Sequence, residues 1–323
     1  MQQRPLVGWF TAVLALAATT AGCGGSSAPA RSQSGDAVVP ASLPAALSQA
    51  HADSTARHFQ LLYGTGGQAA NGEPALAAAA SQLPQLTGID PASAATALSV
   101  GAPPTAVGFL YGSFDTAAIG TKLTALGYHR QDLGHGEALW TIRDDHQLDA
   151  GSPLTELGIA GELNVIRLSP ARLVYGGAHS DLDRALATSG PALADDRLIG
   201  GLASCLGDTA RAAQIGQDPT VGAAPFGLGI SQAGGEVVCL SAPSADAAQA
   251  MATAWPQRAA TANSAKTDQP WSTRLADPAA TVVGGPAHLV RLTARPTDSD
   301  QVLFQASMNQ DLGELLGGLG TRP

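Results

Sequence analysis

The stretch VGFLYGSFDTAAIGTKLTALG, residues 107–127, carries the pattern that decides the fold. Residues 107–111 are apolar and rich in strand-forming types, which predicts a buried strand. Asp115 is a favoured N-cap residue for a helix over 116–126. Gly127 stands where a helix most often ends in a left-handed residue. The sequence therefore predicts a strand followed at once by a helix.

Further elements follow this strand and helix in a regular order. Strands are predicted at 138–143, 163–168 and 172–176, and the last two are joined by a short turn that contains proline. A helix capped by Ser180 and ended by Gly190 closes the unit. The predicted order is β-α-β-β-β-α.

The same order recurs later in the chain, and side chains correspond as well. Arg167 and Leu168 match Arg291 and Leu292 at equivalent places in the two copies. The second set consists of a strand at 237–240, a helix capped by Ser244, strands near 279–283, 287–294 and 301–307, and a helix at 309–316. We therefore predict an α+β fold of two tandem β-α-β-β-β-α units with mostly antiparallel sheets. Chance similarity between short apolar strands is the alternative.

The predicted organisation assigns every part of the chain. Apolar residues at helical spacing begin at Ser42, and Asp90-Pro91 opens another predicted helix as N-cap and first helical residue. The segments are a signal peptide at 1–22, a flexible tether at 23–41, an N-terminal helical region at 42–104, a first α+β unit at 105–194, and connector helices with a second α+β unit at 195–323.

The N-terminus has the features of a secretory signal peptide. A basic residue, Arg4, precedes an apolar run at 6–18 that is too short for a comfortable membrane span. The run leads to Thr20-Ala21-Gly22-Cys23, which resembles the lipobox of bacterial lipoproteins, with Thr20 in place of the usual leucine. The resemblance covers only the first 23 residues. It implies cleavage before Cys23, a lipid on that thiol and a lipid-anchored position on the extracytoplasmic face of the cell membrane; an ordinary cleaved signal is the alternative.

Outside the cytoplasm, the two remaining cysteines are expected to pair. Cys205 and Cys239 are the only others in the sequence, and an oxidising compartment favours a disulfide between them. A redox-active pair of free thiols would normally have the C-x-x-C spacing, which is absent here. The sequence therefore predicts a structural disulfide.

Charge argues against a nucleic-acid partner. The chain has 26 acidic and 17 basic residues among 323, and its only lysines are Lys122 and Lys266. A nucleic-acid binder needs a basic surface to displace counterions from phosphates. The expected partners are instead the membrane, through the lipid anchor, and an unknown envelope ligand or protein.

Motifs that carry chemistry are absent. The sequence contains no G-x-S-x-G, H-E-x-x-H, S-x-x-K or Walker motif, so no catalytic residue and no cofactor is predicted. His179, Ser180, Asp181 and Asp183 superficially suggest a hydrolase, but Ser180 is better explained as a helix cap. The densest set of metal-ligand types is His129, His135 and His146 with nearby carboxylates; its spacing fits no closed zinc site, and an exposed polar loop is the alternative.

Two arginines complete the candidate residues. Arg167 and Arg291 occupy matching places in the two units and would converge on an anionic ligand if the units packed symmetrically. A solvated sheet face covered by the arginine stems is the alternative. We expect a membrane-anchored, non-catalytic module that binds a ligand or an envelope partner; the alternative is an extracytoplasmic hydrolase or metal-dependent enzyme whose residues come from distant positions.

Overall fold

Twelve strands of the described residues pair into one antiparallel sheet. The computed structural model describes residues 38–55, 60–148, 150–207, 210–218, 220–222, 225–285, 287–298, 301–317 and 319. The strands are β1 (Gln60–Thr65), β2 (Thr96–Val100), β3 (Val107–Tyr111), β4 (His129–Gly134), β5 (Glu137–Thr141), β6 (Val165–Leu168), β7 (Arg172–Gly176), β8 (Ala210–Gly216), β9 (Phe226–Ser231), β10 (Glu236–Ser241), β11 (Leu275–Val283) and β12 (Leu289–Pro296).

Helices lie on both faces of this sheet. They are α1 (Leu43–Leu47), α2 (Ala69–Gly72), α3 (Pro74–Ala78), α4 (Leu83–Thr87), α5 (Thr116–Ala125), α6 (Pro153–Glu156), α7 (His179–Ala185), α8 (Arg197–Leu206), α9 (Ala245–Thr261), α10 (Val302–Met308) and α11 (Gly313–Leu316). The mixture of helices and antiparallel sheet confirms the predicted α+β class.

The sheet consists of two halves that meet at its centre. The strand order is β11-β12-β10-β9-β8-β1-β2-β3-β7-β6-β5-β4, so the first half (β1–β7) adjoins the second half (β8–β12) through β1 and β8. These two strands pair antiparallel, with Leu61 opposite Ile215 and Tyr63 opposite Ala213.

Both halves follow the same path along the chain. Each begins with a three-strand meander, continues into a helix (α5 or α9), and returns so that its last strand pairs with the third strand of the meander. In the first half β7 pairs with β3, and in the second half β12 pairs with β10. The return run has four strands in the first half and two in the second.

The two sheet faces bury different cores, because successive side chains of a strand point to opposite faces. One face, which we call the α8 face, carries Leu61, Phe109 and Cys239 and is covered by α1, α7 and α8. The opposite face, the α9 face, has a separate core in each half. In the first half it lies around Leu110 and is covered by α5, and in the second half it lies around Leu228 and is covered by α9, α10 and α11.

Several local predictions are confirmed. The carboxylate of Asp115 accepts the N–H groups of Ala117 and Ala118 and so caps α5, and the hydroxyl of Ser244 caps α9. Gly127 ends the first of these helices with a φ of 91°.

The predicted disulfide is also present. Cys205 and Cys239 are bonded, with their Cα atoms 6.1 Å apart, and the bond ties the end of α8 to β10.

The order β-α-β-β-β-α was wrong for both units. Strand β4 was missed because its residues, HRQDLG, are all exposed and show no apolar alternation. The segment predicted as a strand at 301–307 is helix α10, most of whose residues are buried in the second-half core, where a strand would bury only alternate residues. The carboxylate of Glu236 accepts the N–H groups of Leu303 and Phe304 and satisfies the start of this helix.

Two smaller corrections concern the first 200 residues. Ser180 lies inside α7, whose N-cap residue is Ala178. The region 42–104 is helical only in part, because it also supplies β1 and β2.

The N-terminal predictions fall on residues that the structure does not describe. The signal peptide at 1–22, Cys23 and most of the tether lie outside the described residues. Within the described residues, none of the helices has both the length and the apolar character needed to cross a membrane.

Candidate functional site

The two arginines expected at matching positions lie far apart in the sheet. Arg167 is on β6 and Arg291 is on β12, both on the α8 face, with seven strands between them. Nη2 of Arg167 donates to Oε2 of Glu137 at 2.5 Å, and Nη2 of Arg172 donates to the other carboxylate oxygen at 3.3 Å. Burial raises the pKa of Glu137, but the two guanidinium groups outweigh that effect and hold the pKa below its ordinary value.

Arg291 has a structural partner of its own. Its Nη1 donates to the carbonyl oxygen of Cys205 at 2.8 Å, which satisfies a carbonyl at the end of α8. The structure therefore does not bring Arg167 and Arg291 together, and each guanidinium binds a group of this chain.

The three histidines proposed as metal ligands are not gathered around one point. His129 lies on the exposed strand β4, and His135 occupies the β4–β5 turn with a φ of 52°. His146 lies in the connection after β5, where its Nε2 is 3.4 Å from Oδ2 of Asp181. In the part of the chain that the structure describes, no group of three or more His, Cys, Asp or Glu side chains is arranged to hold a metal ion.

An open groove lies on the α9 face at the far end of the first half. Its volume is about 380 Å³, within the range of small-molecule sites. The groove is lined by Thr116, Ala117, Gly120, Thr121 and Thr124 of α5, and by Arg130, Gly136, Ala138, Trp140 and Leu168 of the β4–β6 region. We call this set of residues the α5 groove.

Residue size explains why the α5 groove forms. The large apolar residues Ile119 and Leu123 of α5 are buried in the core, and the side of the helix that lines the groove carries only small residues. At Gly120 the helix approaches the ring of Trp140 so closely that a Cβ atom would lie 2.9 Å from it. Glycine is therefore needed for this approach, and the threonines on either side leave the groove open.

The exposed lining of the α5 groove is mostly polar. The hydroxyls of Thr121 and Thr124 donate to helix carbonyls four residues earlier, at 2.9 and 2.8 Å, and keep lone pairs as acceptors. Arg130 is half-exposed and donates to Asp132 at 3.2 Å. The groove thus combines a hydroxyl-bearing wall and one cation with a floor of Ala138, Trp140 and Leu168, whose side chains are almost fully buried.

A second group of side chains meets on the α8 face of the same end of the sheet. Thr141 ends β5, Asp145 lies in the connection that follows, and His179 is the first residue of α7. Nε2 of His179 lies 2.9 Å from Oγ1 of Thr141, and its Nδ1 lies 3.0 Å from Oδ1 of Asp145. The backbone N–H of His179 also donates to Oδ1 of Asp145 at 2.8 Å.

Electrostatics keep Asp145 in its ionised form. Burial is the largest single influence and raises the pKa of this carboxyl, but the backbone N–H and the imidazole of His179, together with the N–H of Ser180, lower it by more in combination. The net effect is a pKa below the ordinary value, so the carboxylate acts as an acceptor.

Neighbouring contacts hold the connection after β5 in place. The amide of Asn164 donates to the carbonyl oxygens of Asp144 and Gly177, at 2.8 and 3.0 Å, and accepts the N–H of Arg143 at 3.1 Å. The sequence showed His179 and Asp145 separately but could not pair them, because the contacts join residues 34 and 38 positions apart.

Comparisons with known proteins give little beyond the geometry. No family model and no curated protein matches the chain. Solved structures of TP0453 are similar to this chain over most of the length of both proteins. Crystal form III has a TM-score of 0.37 and 11% sequence identity, and the match covers 79% of this chain and 92% of that chain. Crystal form I has a TM-score of 0.36 and 10% identity, with 82% and 95% covered. Because these scores and identities are low, the similarity to TP0453 carries no argument about function.

Proposed function

We propose that the chain is a lipid-anchored, extracytoplasmic lipoprotein that binds an envelope ligand or partner without transforming it. The observation that carries the binding role is the α5 groove, with its polar wall and volume of about 380 Å³. Small-molecule sites are typically concave, and their polar groups orient the ligand. The ligand class favoured by these features is a small, mainly polar molecule with an acceptor or anionic end near Arg130.

The anchor rests on the sequence around Cys23. The motif Thr20-Ala21-Gly22-Cys23 supports cleavage before the cysteine and attachment of a diacylglycerol. Two acyl chains, at about 0.8 kcal/mol per buried CH₂, are enough for stable membrane attachment. The tether at 23–41 would leave the binding domain free to reach a partner. Mass spectrometry of membrane-extracted protein tests the anchor, and an unmodified peptide spanning Gly22 and Cys23 would contradict it.

Filling the groove tests the binding role. The probe is anilinonaphthalene sulfonate, a fluorescent aromatic anion whose charge matches Arg130. Thr121→Trp places a large ring in the groove from an exposed position on α5. We expect this variant to weaken probe binding by about tenfold, or about 1.4 kcal/mol, in a fluorescence titration of the full chain.

A matched control separates groove filling from a general effect of tryptophan. Thr253 is an exposed threonine of α9 whose hydroxyl also donates to the carbonyl four residues earlier, at 2.9 Å. Thr253→Trp should leave probe affinity unchanged, and both variants should keep the melting temperature of the parent. Equal affinity of the two variants, or no binding by the parent chain, would refute the groove as a binding site.

We also propose that the two halves are copies of one ancestral unit. The shared path supports this: a three-strand meander, a capped helix on the α9 face, and a return to the third strand. In this scheme β12 corresponds to β7, so Arg167 on β6 has no counterpart in Arg291. An experimental structure in which β1–β3 with α5 fail to superpose on β8–β10 with α9 would contradict the proposal.

A further inference from the structure

We infer that Thr141, His179 and Asp145 form a nucleophilic site on the α8 face, which accepts the acyl group of small activated carboxylic esters. This activity is separate from the proposed binding role, because the site lies on the opposite face of the sheet from the α5 groove. It also needs none of the residues that line the groove.

The order of the hydrogen bonds assigns a role to each group. The ionised Asp145 accepts the Nδ1–H of His179 at 3.0 Å, so in the neutral imidazole Nε2 carries the lone pair. That nitrogen lies 2.9 Å from Oγ1 of Thr141 and accepts the hydroxyl proton. The arrangement is a nucleophile bonded to a base, which is oriented in turn by a carboxylate.

Helix capping alone does not explain this arrangement. The N-terminus of α7 is satisfied by the Asp145 carboxylate, which accepts the backbone N–H of His179 at 2.8 Å. That bond requires neither an imidazole at 179 nor a hydroxyl at 141. The contact between Thr141 and His179 is therefore an additional feature, and it is the feature that nucleophilic chemistry requires.

The site is held in place and open to solvent. The Asn164 amide fixes the connection that bears Asp145, and His146 lies 3.4 Å from Asp181 of α7, which brings the same connection to that helix. The side chains of His179 and Asp145 are each 40% exposed, and Thr141 is half-buried beside the exposed strand β4. A small ester can therefore reach the hydroxyl from the edge of the sheet.

The chemistry balances without a cofactor. Oγ1 of Thr141 attacks the ester carbonyl carbon while its proton moves to Nε2 of His179. The bond from the carbonyl carbon to the leaving oxygen then breaks, and the imidazolium returns the proton to that oxygen. The products are an ester on Thr141 and a free alcohol. Water then attacks the acyl carbon while its proton moves to the same nitrogen. The bond between the acyl carbon and Oγ1 breaks, and the imidazolium returns the proton to Oγ1, so that the acid leaves and the hydroxyl is restored.

Acetylation by p-nitrophenyl acetate tests the inference on the full chain. We expect release of nitrophenolate and, when the reaction is stopped with acid before hydrolysis, one acetyl group on Thr141, located by peptide mass spectrometry. Thr141→Val, which keeps the shape but removes the nucleophile, should abolish this label, and Thr141→Ser should retain it. His179→Ala should slow labelling by about 100-fold, the effect of losing a general base.

Asp145 is a positioning residue, so its test needs a readout beyond stability. Asp145→Asn should slow labelling at every pH because the amide no longer favours the Nδ1–H tautomer. Thr253→Val on α9 is the control and should label like the parent. Melting temperatures establish that each variant is folded. Three results would overturn the inference. They are labelling at Ser180 or another residue in place of Thr141, unchanged labelling of folded Thr141→Val, and no labelling of the parent.

Discussion

The two halves of the sheet differ most at their outer edges. In the second half the 17-residue helix α9 packs against β11, the outermost strand, and its Trp255 is fully buried with Nε1 donating to the carbonyl of Thr293 at 3.3 Å. In the first half the 10-residue α5 is followed by four return strands instead of two. The sheet therefore extends past its helix. The α5 groove lies in the half that has the shorter helix and the larger number of return strands.

The halves also bury their acidic residues differently. Glu73, between α2 and α3, is 3% exposed, and burial raises its pKa to about 8. Glu236 at the start of β10 is 0% exposed, and burial raises its pKa to about 7 against the N–H groups of Leu303 and Phe304. Backbone donors thus lessen the cost of burying a carboxylate.

Removal of the disulfide should change the relative stability of the two halves most, because the bond joins α8 to β10 of the second half. Replacing both Cys205 and Cys239 by Ala should lower the free energy of unfolding by roughly 3 to 4 kcal/mol, since the unfolded chain regains loop entropy. Amides of β10 and β12 should then lose more hydrogen-exchange protection than those of β3 and β7. An equal loss in both halves would mean that the sheet unfolds as one unit, and an unchanged melting temperature would contradict the expectation.

Glu73→Gln should stabilise the protein, and only at higher pH. The pKa of Glu73 is 4.5 in the unfolded chain and about 8 in the folded one, so folding favours the protonated form. Below pH 4.5 both states hold the proton and there is no penalty; between 4.5 and 8 the parent loses stability as pH rises. We expect the variant to exceed the parent by roughly 3 kcal/mol at pH 7 and to equal it at pH 4.

Urea denaturation at both pH values measures this difference. Exposed Glu156 on α6 offers a matched substitution, and Glu156→Gln should change stability little at either pH. A stabilisation by Glu73→Gln that is the same at pH 4 and pH 7 would exclude ionisation as its cause.

Loss of the other buried acid should have the opposite sign. Glu236→Ala removes the acceptor for the N–H groups of Leu303 and Phe304, which lie 2.9 to 3.3 Å from the carboxylate oxygens. The free energy of unfolding at pH 5 should fall by about 2 kcal/mol because buried donors lose their acceptor. A higher free energy of unfolding for this variant at pH 5 would show that Glu236, like Glu73, destabilises the fold.

The caps of α5 and α9 should show the smallest difference between the halves. Asp115 accepts two N–H groups, at 3.1 and 2.9 Å, whereas Ser244 accepts one at 3.1 Å. Asp115→Ala and Ser244→Ala should each cost about 1 kcal/mol, with the larger loss at Asp115 because its charge also favours the helix N-terminus. Thermal unfolding measures both, and a larger loss at Ser244 would reverse the ranking.

Local features were predictable because their partners are close in sequence. Asp115 caps α5 through residues two and three positions on, and Ser244 acts in the same way in α9. The disulfide followed from a count, since only Cys205 and Cys239 remained after Cys23 was assigned to the lipid. Matching strands of the two units by their apolar residues was less reliable, and it predicted a strand at 301–307, where helix α10 forms.

By itself, the sequence determined the α+β class, the two capped helices and the pairing of the cysteines, because those depend on residue type and on short-range contacts. Only the tertiary structure decided that β1 pairs with β8, that Arg167 and Arg291 bind groups in separate halves, and that α5 leaves a groove beside Trp140. It also brought Thr141, Asp145 and His179 within hydrogen-bonding distance. These contacts join residues dozens of positions apart, and strand order, which no short stretch of sequence encodes, determines which of them meet.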